Sequence, residues 1–108
     1  MKQKMVMNLL LAMGMLLALM GVAQAAGDAA AAKAKTSMCE GCHGIQGYKT
    51  AFPNAYHVPK LGGQHAEYII KALEGYKNGT RSHPTMTGLA KTLSQQDIED
   101  FAAYYSKN

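Results

Sequence analysis

Cys39 and Cys42 stand three positions apart with His43 directly after them, in the string CEGCH. On a helical turn, residues three apart share a face. Two sulfurs there can reach neighbouring points on the edge of one flat ligand, while the imidazole that follows sits beneath its centre. That is the chemistry of covalent haem attachment: each thiol bonds a vinyl group on the porphyrin edge, and neutral imidazole ligates the iron. A disulfide between the two would close a trivial loop and restrict the unfolded chain very little. Zinc asks for four ligands, and beyond CEGCH the chain offers only the isolated His57, His65 and His83. A thioredoxin-like redox pair expects a βαβ pattern, which is missing, although an exported location would permit it.

A second axial ligand is found by elimination. Six of the eight methionines fall within the first 25 residues, leaving Met38 and Met86. Met38 abuts Cys39, on the helix that the thioethers would fix to the haem edge. Met86 lies far along the chain, in an expected loop that can cover the opposite face. A soft, uncharged thioether opposite histidine favours ferrous iron and raises the potential. Iron with both axial positions filled has no vacancy for oxygen or peroxide, so electron transfer is expected and enzymatic catalysis is not.

The first residues read as a secretory leader, with Lys2 and Lys4 ahead of an apolar run from Leu9 to Val22. Ala23-Gln24-Ala25 then supplies the small residues of a cleavage site. The domains expected are therefore 1–25, a removed signal peptide, and 26–108. A retained membrane anchor is the alternative, against which the apolar run is short for a span. Without the leader the formal charge of +4 falls to +2, and two haem propionates would bring it near zero. Nucleic-acid binding has no electrostatic support. About 83 residues remain, too few for a generous core, so a staple is expected.

The elements that must position these residues read as all-α: three main helices with long connecting loops around the haem. An Ala-rich helix runs from Asp28, its N-cap, to Met38 and into the cysteine pair, with Lys33 and Lys35 as solubilising charges. Gly44 to Gly63, with Pro53, Asn54 and Pro59, reads as irregular loop. A second helix spans Gln64 to Asn78, apolar at Ala66, Ile69 or Ile70, Leu73 and Tyr76, and stops at Gly79. After a loop through Pro84 and Met86 and a short apolar turn at Leu89 and Leu93, Ser94 and Asp97 form a capping box. The last helix places Ile98, Phe101, Ala102 and Tyr105 on one face.

In this order CEGCHG, PKLGGQHAEYI, Gly79-Thr80-Arg81 with Met86, and LSQQDIEDFAAYY resemble the class I cytochromes c. The likeness is to the small single-haem periplasmic type of bacteria, and to one half of the di-haem periplasmic cytochromes c. It implies N- and C-terminal helices crossing near the haem edge, and Met86 as axial ligand. It also implies that the Pro59 carbonyl accepts a hydrogen bond from the His43 imidazole, orienting the ring and raising its basicity. Tyr48, Phe52, Tyr56 and His57 have no role to transfer and are expected to pack the haem periphery. His83 is the competitor for the iron, and Arg81 either meets a propionate or is solvated.

The function expected is a periplasmic one-electron carrier bearing a single covalent haem c, meeting donor and acceptor proteins transiently and acting as a monomer. No substrate chemistry is implied. The alternative is a haem-bearing electron-transfer subunit of a periplasmic oxidoreductase complex.

Overall fold

A computed structural model describes residues 1–18, 27–52 and 55–108 of the chain. The expected cleavage site Ala23-Gln24-Ala25, the end of the apolar run at Val22, and the turn residues Pro53 and Asn54 lie outside the described residues.

Helix α1 (Lys2–Ala18) falls in the expected leader. Beyond it come α2 (Ala29–Lys33), α3 (Ser37–His43), α4 (Ala66–Asn78), α5 (Pro84–Thr92) and α6 (Gln95–Tyr105). The all-α expectation holds, with one addition in the long loop. Strands β1 (Lys49–Thr50) and β2 (Tyr56–His57) pair antiparallel, Lys49 opposite His57 and Thr50 opposite Tyr56. The Thr50 Oγ1 accepts the Tyr56 N–H at 3.3 Å, supporting so short a ladder.

The expected first helix is divided in two. Asp28 caps α2, its carboxylate accepting the Ala30 N–H at 2.9 Å. The chain then tightens: the Lys35 N–H donates to Ala32 O at 2.7 Å, and the Thr36 hydroxyl donates to Lys33 O at 3.0 Å. Those short-range bonds end α2 and restart the chain as α3. Lys35 is no solubilising charge. It lies 2.5 Å from an Asp97 oxygen and 3.3 Å from an Asp100 oxygen, so it ties the N-terminal segment to α6.

The clamp made by α2, α4 and α6 holds the core. Ile98, Phe101, Ala102 and Tyr105, the face anticipated for α6, are buried with Ala32, Ile69 and Leu93. Ile98 and Phe101 are fully enclosed, each stabilising the fold by about 1.5–3 kcal/mol relative to an exposed side chain. The capping box forms as expected: Ser94 Oγ accepts the Asp97 N–H and Asp97 accepts the Ser94 N–H at 2.9 Å. Gly79 ends α4 with φ 88°, the left-handed geometry that glycine takes at no steric cost.

Two long-range contacts had no local signature. Asp100 is 3% exposed; its carboxylate accepts the Asp28 N–H at 2.7 Å and the Gln96 amide at 2.8 Å. A Cβ on Gly27 would stand 1.9 Å from the Glu99 carbonyl oxygen, so the segment entering α2 crosses α6 at backbone contact.

The region expected as a loop through Pro84 and Met86 is the helix α5. Proline at the first helical position loses no hydrogen bond and starts a helix rather than breaking one. His83 is its N-cap, and Ala90 buries against the fold.

Candidate functional site

Two adjoining cavities open between α3, the long loop, α4 and α5. One has a volume of about 290 Å3 and is lined by Cys39, Leu61, Ile69, Phe101 and others; the second, of about 510 Å3, is lined by Cys42, Tyr48, Tyr56 and His57 among others. His43, Met86, Pro59, Met38, Tyr76 and Leu89 line both. The five residues singled out from the sequence, Cys39, Cys42, His43, Pro59 and Met86, thus surround one space, with a cysteine on each side of its divide. Volumes of this order suit small-molecule ligands, about 300–1,000 Å3.

The His43 Nδ1 lies 2.7 Å from the Pro59 carbonyl oxygen. A carbonyl can only accept, so the ring proton is on Nδ1 and Nε2 keeps its lone pair. That tautomer suits a metal ligand, and the accepting carbonyl fixes the ring's orientation. Cys39 and Cys42 are free, half-buried thiols. Burial pushes the Cys39 thiol above its usual pKa, the hydrogen bond with Tyr105 opposes the shift, and the Glu40 charge adds to it. The Tyr105 hydroxyl donates to Glu40 Oε1 at 2.7 Å and joins α6 to the helix carrying the cysteines. Its own pKa rises well above the phenol value, through burial first and then that bond.

Met86 sits in the first turn of α5, its backbone N–H donating to the His83 Nδ1 at 3.3 Å. Arg81 is exposed. Its guanidinium lies 4.9 Å from the centre of the Tyr76 ring and donates to the Tyr68 hydroxyl, and the residue lines the smaller cavity. Tyr48, Tyr56 and His57 line the larger cavity as expected of a periphery. Phe52 does not: it is 88% exposed and lines neither. His65 is the N-cap of α4 and its side chain makes no capping bond.

These residues fit a haem. The donor set is two thiols, an imidazole with a free Nε2 and a thioether, around a space walled mostly by apolar side chains. Cys39 and Cys42 would take the vinyl groups, with His43 and Met86 beside the iron.

The profile of the cytochrome c family matches residues 25–107. Cytochrome c4 of Pseudomonas aeruginosa is 46% identical over 103 residues, covering 95% of this chain and 47% of the relative. Cytochrome c-554(548) of Halomonas halodenitrificans is 42% identical over 86 residues, covering 75% of this chain and 96% of the relative. The solved cytochrome c4 structure from Acidithiobacillus ferrooxidans superposes with a TM-score of 0.59 at 32% identity, over 82% of this chain and 53% of that one. The chain spans about half the length of the cytochromes c4 it matches.

Proposed function

Since the chain belongs to the cytochrome c family, whose domain carries covalently bound haem c, we propose that it is an exported one-electron carrier with thioether links at Cys39 and Cys42 and axial ligands His43 and Met86. Cytochromes c pass electrons to redox partners. When bound, the haem supplies one-electron cycling between ferrous and ferric iron.

The chain's own residues do the rest. His43 holds its proton at Nδ1 against Pro59 O, which keeps Nε2 available and fixes the ring. Met86 supplies a neutral thioether from the facing helix, a ligand that favours the ferrous state. With His43 and Met86 both holding the iron, the bound haem would offer no open position to a substrate, which supports electron carriage over catalysis. The cavity walls are mostly apolar, and thioether links at Cys39 and Cys42 would hold the haem in place in both oxidation states.

The carrying observation is the His43–Pro59 bond of 2.7 Å beside a cavity shared with Met86. It supports His43 as the proximal ligand, in cavities that Met86, the thioether outside α3 and the leader, also lines. The family match begins at residue 25, which supports residues 1–25 as a removed export signal and the periplasm as the place of work. No helix among the described residues is long and apolar enough to cross a membrane. The working form is a monomer that meets its partners transiently.

A redox titration of the purified, matured protein followed in the visible tests this. One reversible one-electron couple is expected, with a ferric methionine-to-iron band and no binding of carbon monoxide to the ferrous form. Met86→Ala is expected to abolish the band and lower the potential. An unchanged band and potential in Met86→Ala would remove Met86 from the iron and make His83 the ligand to examine.

A further inference from the structure

His83 is the residue that the ligand assignment leaves over, and its surroundings give it a different task. Its ring Nδ1 accepts the backbone N–H of Met86, the ligand residue itself, at 3.3 Å. Its own backbone N–H donates to the Thr87 Oγ1 at 3.4 Å, so cap and first turn hold each other from both sides. An imidazole nitrogen that accepts carries no proton, which places the ring proton on Nε2. The nitrogen left over is therefore the donor in this tautomer. This is the reverse of His43, whose protonated Nδ1 leaves Nε2 open. The Tyr56 ring of β2 packs across the His83 ring, centroids 5.6 Å apart at 60°, so the hairpin holds the imidazole in its capping pose.

We propose that His83 is the positioning residue for Met86: it caps α5 through the Met86 N–H and, steadied by Tyr56, keeps the thioether presented to the iron. The proposal rests on Met86 being the axial ligand. A neutral thioether is a weak ligand, so its hold on the iron depends on how little freedom the chain gives it. The first turn of a helix frays most readily when its cap is removed. Losing the cap therefore makes Met86 easier to displace without removing it.

The test titrates exogenous imidazole into the ferric matured protein and reads the methionine-to-iron band and the midpoint potential in parallel. In His83→Ala, imidazole is expected to bind about 5-fold tighter, with a weakened band and a lower potential, the fold-change that corresponds to a typical lost N-cap. His83→Asn, whose amide oxygen is a strong N-cap acceptor, is expected to return imidazole affinity to within about twofold of wild type. A His83→Ala protein matching wild type in affinity and band overturns the proposal. So does His83→Asn as perturbed as His83→Ala; if His83→Ala fails to mature, His83→Asn alone decides, by the same twofold limit. Met86→Ala separates the two readings. If it keeps the band, the ligand assignment falls and takes the positioning role with it; if it loses the band while His83→Ala is indistinguishable from wild type, only the positioning role falls.

Discussion

Helix α6 buries Ile98, Asp100, Phe101, Ala102 and Tyr105, whereas α3, which carries both cysteines and His43, buries none of its seven residues. The helix that carries the candidate haem anchors has little protein around it. It is held by the Tyr105–Glu40 bond and by the packing of Cys39 against the core. The clamp of α2, α4 and α6 is a small conventional core. The CEGCH helix and the loop to Gly63 are walls of a cavity that fits an apolar macrocycle, which would complete the core of so small a domain.

That contrast can be broken by two phenylalanines. Phe101→Ala, in the clamp, is expected to lower the unfolding free energy of the matured protein by about 3–5 kcal/mol. Phe52→Ala, on the loop at 88% exposure, is expected to stay within about 0.5 kcal/mol. Denaturant unfolding followed by circular dichroism measures both, and comparable losses would erase the distinction between clamp and wall.

Gly27→Ala sharpens the clamp itself. The new methyl would meet the Glu99 backbone carbonyl, which cannot swing aside as a side chain does, so α2 must move off α6. A loss of about 1–3 kcal/mol is expected in the same unfolding measurement.

Asp100→Asn is a smaller change within the clamp, about 1–2 kcal/mol, since the amide oxygen still accepts while the charge is gone. It has a signature in pH. The Asp28 N–H and the Gln96 amide, with Lys35 behind them, hold the Asp100 carboxyl below its usual range; Lys35 and Ser94 do the same for Asp97. A depressed folded-state value stabilises above the ordinary carboxylate pKa of about 4 and is lost as the pH falls toward the folded value. The melting temperature of wild type is therefore expected to exceed that of Asp100→Asn most near neutrality, the gap narrowing below about pH 4. Lys35 behaves oppositely: its pKa is raised, so its contribution is present below about 10.4 and disappears above the raised value. A gap that widens on acidification would contradict the assignment.

How much of this was legible beforehand follows from the range of each interaction. CEGCH was readable because attachment needs two sulfurs and an imidazole at fixed local spacing. The α6 capping box and its buried face were readable because both repeat within one or two turns. Helix α5 was not, because a proline between polar residues is as compatible with a loop as with the first helical position, where Pro84 starts a helix. The contacts of Gly27, Lys35 and Asp100 across the fold were invisible for another reason: they join residues at least 62 positions apart, and no local pattern encodes such a contact. The tautomers of His43 and His83 likewise depend on a carbonyl and an N–H that only the fold brings to them.

The central claim is that one porphyrin is covalently joined to the chain at Cys39 and Cys42. Acidified organic solvent applied to denatured protein, matured in cells able to attach haem, tests it with mass analysis of the polypeptide. The account predicts that the pigment stays with the chain and the mass increases by one haem, on a peptide containing both cysteines, and that the Cys39→Ala, Cys42→Ala double variant releases it. A wild-type chain that gives up all its pigment to the solvent, or whose mass equals the bare polypeptide, would contradict it.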